Sequence, residues 1–223
     1  MKICLLTYDA PHKKTAQIFH ALLNRGFEYI DLMLMPFSKR PEREVALAHR
    51  PYQFEGPDPR SLVKSSGGKL VLYEDWKCVI NDYDVFLVCG SNLIDREFAN
   101  CGKILNSHAG LIPTSRGLDS FKWAIFHQKE VGNTLHFIND EADSGEVIYH
   151  LPTPLYQGDE IRTFADRHYS NEIWLLSNFD SLLDRRRILV SLDEVSDPTR
   201  RMPIDVEAEM LQRFDDYKSK FAL

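Results

Sequence analysis

Two side chains able to act on a carbonyl stand two residues apart at the end of an apolar run. In Ile104-Leu105-Asn106-Ser107-His108-Ala109-Gly110-Leu111-Ile112-Pro113 a strand-like segment leads directly into Asn106 and His108. Alternation along an extended chain sends both side chains to the same side, at the carboxyl end of the strand. In an open α/β sheet that is the end beyond which ligands bind. An amide can donate to an oxygen on which negative charge develops, and an imidazole can give or take a proton near neutral pH. Further along, Asp140-Glu141-Ala142-Asp143-Ser144-Gly145-Glu146-Val147-Ile148 forms a carboxylate-rich turn running into another strand. A carboxylate from this turn could orient the imidazole and stabilise its charge.

The elements that must position these groups follow from hydrophobic periodicity. Residues 1–7 read as a strand, 13–25 as a helix with Ala16, Ile18, Phe19, Leu22 and Leu23 on one face, and 29–35 as a second strand. This is a βαβ unit, which implies parallel pairing and a right-handed crossover. The pattern resumes with a fully buried type of strand at 84–89, a helix from about residue 95 and a strand at 103–107. After residue 118 a helix of about ten residues precedes strands at 133–138 and 146–151. Residues 159–186 read as one long helix, and 208–220 as a last amphipathic one. The expected fold is α/β, a Rossmann-like open, mostly parallel sheet flanked by helices, with a short helical C-terminal appendage. Residues 1–185 are expected to form the main domain, and 186–223 an extension that is not an independent domain.

Composition fits this reading. The 223 residues, 43% hydrophobic and 27% charged, suit one generous globular domain and exclude disordered and low-complexity classes. A net charge of -6 argues against a protein that covers nucleic-acid phosphates or lies on an anionic membrane. No apolar run approaches the ~18 residues needed to span a bilayer, and polar Thr7 and Asp9 interrupt the start too soon for a signal peptide. The expected location is the cytoplasm. Cys4, Cys78, Cys89 and Cys101 stand singly, so reduced thiols are expected, with no metal site. His20, His127, His136, His150 and His168 read as structural or surface residues. Residues 36–62 hold five of the eleven prolines and a basic set of Lys39, Arg40, Arg43, His49, Arg50 and Arg60. A proline-stiffened solvated connection and an anion-binding arm both fit this segment.

Residues 84–155 resemble the N-terminal domain of the 10-formyltetrahydrofolate-dependent formyltransferases. The family's motifs occur in order: Asn106 and His108, Ile112-Pro113, Arg116-Gly117, Ala124-Ile125, Gly132-Asn133-Thr134, and Asp143-Ser144-Gly145 followed by Val147-Ile148. The resemblance implies transfer of a formyl group from the cosubstrate N10-formyltetrahydrofolate to a primary amine. It carries over Asn106, His108 and Asp143 as the catalytic trio. Asn106 and His108 would stabilise the tetrahedral oxyanion, while Asp143 would hold the imidazole and assist proton movement. It further implies that the pterin end of the folate lies against Cys89, Gly90, Ser91, Asn92 and Leu93 and the turn containing Asn139, Asp140 and Glu141.

Departures from the family pattern narrow the acceptor. The loop after the first strand, Thr7-Tyr8-Asp9-Ala10-Pro11-His12, lacks the glycines with which the purine-synthesis enzyme holds a ribose phosphate. On this sequence neither a tRNA-gripping barrel after Asp180 nor a regulatory domain before the first strand is expected. The remaining branch is the sugar N-formyltransferases, whose acceptor is a nucleotide-linked amino deoxysugar of the kind used in polysaccharide biosynthesis. Trp123, before Ala124, fits that branch, though a core tryptophan explains it equally well. Arg116, His49, Arg50 and Tyr52 are candidate acceptor contacts, and Arg200-Arg201 offers a second place for a diphosphate. A formyltetrahydrofolate hydrolase, a formyltransferase for another small amine including glycinamide ribonucleotide, and a non-catalytic folate- or nucleotide-binding regulator are the alternatives. The sequence leaves a homodimer open.

Overall fold

The computed structural model describes residues 1–38, 41, 43–184 and 195–223. Its strands are β1 (Ile3–Tyr8), β2 (Asp31–Met35), β3 (Leu70–Leu72), β4 (Val85–Val88), β5 (Ile104–His108), β6 (Gly132–Phe137) and β7 (Val147–Pro152), in the sheet order β3-β2-β1-β4-β5-β6-β7. β1 pairs in parallel with both β2 and β4, β2 with β3 and β4 with β5, while β6 and β7 are antiparallel. The strand order reverses between β1 and β4, which is where a doubly wound sheet opens a crevice at its carboxyl edge. β1 and β4 are buried on both faces, as their unbroken apolar runs require.

The chain divides into two compact units. The first comprises residues 1–40, 52–106 and 137–140. It contains α1 (Lys13–Asn24), α2 (Pro59–Ser66), α3 (Trp76–Val79) and α4 (Arg96–Ala99). Its core gathers Leu6, Met33, Trp76, Phe86, Phe98 and Ile104, with Trp76 stacked on Phe98 at 4.7 Å between ring centroids. The second unit comprises 41–51, 107–136 and 141–223, with α5 (Ser120–Phe126), α6 (Ile161–Ser177), α7 (Phe179–Leu183), α8 (Ile204–Gln212) and α9 (Phe214–Phe221). Its core joins Phe121 and Ile125 of α5 to Phe164 of α6, Met210 of α8, and Phe214 and Tyr217 of α9.

Two helices expected to be continuous are broken. The segment 159–186 forms α6 and α7, parted at Asn178. Its backbone N–H and its side-chain amide both donate to the Trp174 carbonyl, at 3.0 and 2.8 Å, and so end the first helix. The expected end at residue 186, like the proposed boundary at 185–186 and the basic residues Lys39 and Arg40, lies outside the described residues. The last helix also begins earlier than expected and is interrupted at Arg213, giving α8 and α9. The apolar stripe Val206, Met210, Phe214, Tyr217 and Phe221 continues across the interruption, so its period alone reads as one helix. The helix expected near residue 95 is α4, of 4 residues, and the one expected after residue 118 at about ten residues is α5, of 7. No helix among the described residues is long and apolar enough to cross a membrane.

Phe164 is 1% exposed and meets the rings of Phe121, Phe214 and Tyr217 at 5.4, 6.3 and 6.3 Å. Phe164→Ala should therefore lower unfolding free energy by about 3–5 kcal/mol in urea titration. A loss below about 1 kcal/mol would mean that α9 does not share this core.

Candidate active site

β5 delivers Asn106 and His108 to one side of the strand, with Asn106 half-buried and His108 buried. The His108 ring is fixed at both nitrogens. Nδ1 lies 3.2 Å from Asp143 Oδ1. Nε2 lies 3.0 Å from the Ser115 carbonyl oxygen and 3.2 Å from Ser120 Oγ, whose hydroxyl donates to the Gly117 carbonyl. A carboxylate faces one nitrogen and a carbonyl the other, and together these contacts fix the plane of the ring. Gly110 is required here because a Cβ would come within 2.5 Å of the Ser115 carbonyl oxygen and 2.8 Å of His108 Nε2.

Asp143 occupies the left-handed region at φ 48°, where aspartate is tolerated better than most non-glycine residues. Its Oδ2 accepts the Gly117 N–H at 2.9 Å. Burial raises the carboxyl pKa, but the charge and hydrogen bond of His108, the Gly117 N–H and the charge of His136 outweigh it and bring the group down to about 2. Arg116 makes this turn possible. Its Nε donates to the carbonyls of Ala142 and Asp143, both at 3.0 Å, Nη2 also donates to Ala142, and Nη1 donates to the Ser196 carbonyl. The guanidinium expected to touch the acceptor is thus directed at backbone carbonyls around Asp143.

The site also contains a residue read from sequence as merely structural. His136 of β6 is buried, with Nε2 4.0 Å from Asp143 Oδ1 and its ring edge-on to His108. Two residues earlier on the same face, Thr134 donates to the Gly110 carbonyl at 2.7 Å and accepts the Ile112 N–H at 3.0 Å. That period of two from the Gly-x-Thr motif was the available signal.

In the first unit, the loop after β4 is held by the Cys89 and Gly90 N–H groups, which both donate to Leu6 O, and by Tyr8 Oη donating to Ser91 O at 2.7 Å. Burial pushes the Cys89 thiol up to about 12. Asn92 donates to Pro36 O, and Leu93 is 97% exposed. Asp140 pairs with Arg96, while Glu141 is exposed. α1 begins at His12, whose ring bonds Thr15 Oγ1 at 2.9 Å, and the Lys13 N–H donates to Gln53 O at 2.8 Å. Tyr8, His12, Phe37 and Phe54 pack their rings around this start. Arg60 is paired with Asp9, and Tyr52 is exposed at φ 62°.

The remaining candidates lie in the second unit. His49 stacks on Phe121 at 5.9 Å, and burial, followed by the charges of Arg50 and Lys122, pushes its pKa down to about 2, so the ring is neutral. Arg50 is paired with buried Glu172. Arg43 and Arg201 lie 3.7 and 3.6 Å from Asp119. Trp123 donates its indole N–H to the Arg200 carbonyl at 2.7 Å and stacks on His127.

Residues 83–179 match the formyl transferase family model. The chain is 36% identical over 72 residues to a phosphoribosylglycinamide formyltransferase of Haemophilus influenzae, covering 32% of this chain and 34% of that relative. It is 24% identical over 195 residues to a methionyl-tRNA formyltransferase of Azobacteroides pseudotrichonymphae, covering 79% of this chain and 56% of that one. The chain therefore spans less than two thirds of either relative. Among solved structures, the fold resembles an N-formyltransferase from Helicobacter canadensis in complex with folinic acid and dTDP-3-aminofucose. The TM-score is 0.62 at 16% identity, covering 88% of this chain and 70% of that one. The motifs picked out in the sequence, from Asn106 to Val147-Ile148, all lie within the matched segment 83–179.

The depressed pKa of Asp143 carries a sign. Its contribution to stability is complete above the ordinary carboxyl pKa near 4 and is lost as pH falls from there through about 2. Wild-type protein should lose roughly 2 kcal/mol more than Asp143→Asn between pH 5 and pH 2 in unfolding titrations. Parallel curves would show that the carboxylate is not held as described.

Proposed function

We propose that this chain transfers a formyl group from N10-formyltetrahydrofolate to the primary amine of a nucleotide-linked amino deoxysugar. The observation that carries the transfer is the His108 ring, fixed between Asp143 and the Ser115 carbonyl at the carboxyl end of β5, with Asn106 on the same side of the strand. Bound formyl-folate supplies the carbon that the amine attacks. The Asn106 amide donates to the oxygen on which charge develops, and the His108 ring, as a proton donor, stabilises that oxygen. Asp143 keeps the ring oriented and balances its charge, and this carboxylate–imidazole pair moves the proton from the attacking amine towards the departing nitrogen. On the cosubstrate side, exposed Leu93 offers apolar cover for a pterin lying against the loop after β4 and the turn at 139–141.

Two features support an acceptor whose anion is held away from the turn after β1. The Gln53 carbonyl takes an N–H at the start of α1, and the ring cluster of Tyr8, His12, Phe37 and Phe54 occupies the surrounding space. In the second unit Arg43, Arg50 and Arg201 remain partly exposed and could meet a diphosphate. The identity with the Haemophilus influenzae relative favours a second reading, with glycinamide ribonucleotide as acceptor. That reading requires a phosphate site that the turn after β1 does not provide.

Asn106→Ala should lower kcat for formyl transfer by ~10²–10³ while tetrahydrofolate binding persists. The decisive assay measures tetrahydrofolate release with a panel of dTDP- and UDP-linked amino sugars, glycinamide ribonucleotide and no amine. Turnover with glycinamide ribonucleotide alone, or undiminished release of formate without amine, would replace the amino-sugar reading. Near wild-type transfer by Asn106→Ala would remove the mechanism.

A further inference from the structure

The first part of the proline-rich arm is irregular backbone, so its N–H groups need partners outside regular structure. The Ala46 and Leu47 N–H groups both donate to Glu207 Oε2 on α8, at 2.7 and 3.3 Å. The other carboxylate oxygen, Oε1, accepts Lys122 Nζ of α5 at 2.6 Å and Arg43 Nη2 at 3.4 Å. Glu207 is 0% exposed and Lys122 is 2% exposed, so these four donors are what keep a charged carboxylate there. Buried ion pairs are commonly replaceable by apolar residues without loss of stability. This one supplies directional bonds that fix the register of residues 43–47. Beyond the bonded stretch, Leu47 enters the apolar core, His49 stacks on Phe121 and Arg50 pairs with Glu172.

We propose that Glu207 is a positioning residue for acceptor recognition. It docks residues 43–50 onto α5 and α8, so that His49 and Arg50 are preorganised for the acceptor and the C-terminal helices become part of acceptor selection. The docking rests on this geometry, and its role in acceptor use rests on the amino-sugar reading above. Preorganisation of a binding loop acts on affinity, so its loss should appear in the acceptor KM rather than in the chemical step.

The test compares wild type with Glu207→Gln and with the double variant Glu207→Gln, Lys122→Met, which removes both buried charges and leaves neither orphaned. Hydrogen exchange at Ala46 and Leu47, and tryptic cleavage after Arg43, should each accelerate about tenfold. With the amino sugar that the panel identifies, acceptor KM should rise about tenfold while kcat and the folate KM stay within about twofold. Unchanged exchange and cleavage would overturn the docking. Faster exchange with an unchanged acceptor KM would overturn the positioning role, as would kcat and both KM values deteriorating together with Tm. If wild type uses no amino sugar, the functional reading fails first, and acceleration at Ala46 and Leu47 would uphold the docking while overturning its role in acceptor use.

Discussion

The site depends on how Arg116 holds the backbone around Asp143. A bulky or charged residue in the left-handed region costs on the order of 1 kcal/mol and persists only where its surroundings leave no alternative. Arg116 binds the carbonyls of residues 142 and 143 from one side, while the neighbouring Gly117 N–H binds the carboxylate from the other. The same dipeptide is fixed in turn by Thr199. The Thr199 N–H donates to Arg116 O at 2.9 Å, and the Leu118 N–H donates to Thr199 O at 2.9 Å. Gly117, at φ 89°, accommodates this pairing because a Cβ would lie 2.4 Å from the Thr199 backbone. Three stretches distant in sequence thus meet at one guanidinium, and the orientation of His108 follows from where that meeting leaves Asp143.

Charge burial in the second unit follows one pattern. Asp143, Glu172 and Glu207 each withdraw a carboxylate from water, and each meets a cation or imidazole from a segment remote in sequence: His108, Arg50 and Lys122 respectively. Desolvation offsets most of the Coulomb attraction in such pairs, so their contribution lies less in net stability than in the register they impose. His168 follows the neutral variant of this pattern. Burial drives its pKa down to about 3, and the uncharged ring bonds Thr153 Oγ1 at 2.9 Å. With several of the acids turned inward, a chain of net charge -6 still presents Arg43 and Arg201 beside each other, both near Asp119.

The parts legible in the sequence are those set by local periodicity. β1, α1, β2, β4 and β5 lie within about two residues of where their apolar patterns placed them, because each is buried along its length or on one face. β3 was not legible: its three residues, two of them exposed leucines, carry neither a buried run nor an alternation. The breaks at Asn178 and Arg213 fall within continuous apolar stripes, where only hydrogen bonding to the preceding turn decides them. Asn106 and His108 stood out because a strand ran into them. Asp143 was one of four carboxylates in its turn, singled out only by resemblance. The contacts made by His136, Arg116 and Glu207 arise from chain closure between distant segments, which no local window contains.

These contacts also bear on where this fold could hold an anion. The turn after the first strand is the ordinary place for a phosphate, since a helix start presents N–H groups and a positive dipole end. Here Gln53 O accepts the Lys13 N–H, and Thr7 and His12 bond the Thr15 hydroxyl at 2.6 and 2.9 Å. Filling a helix start with a carbonyl and aromatic rings makes phosphate binding there costly, because the anion would have to displace bonds already made. An anionic acceptor would then be recognised by cations elsewhere, and cations on an irregular arm are useful only if the arm is held in place. The carboxylate of Glu207 holds Ala46 and Leu47 from α8, so the arm is tied to sequence that follows residues 83–179, the segment that matches the family model.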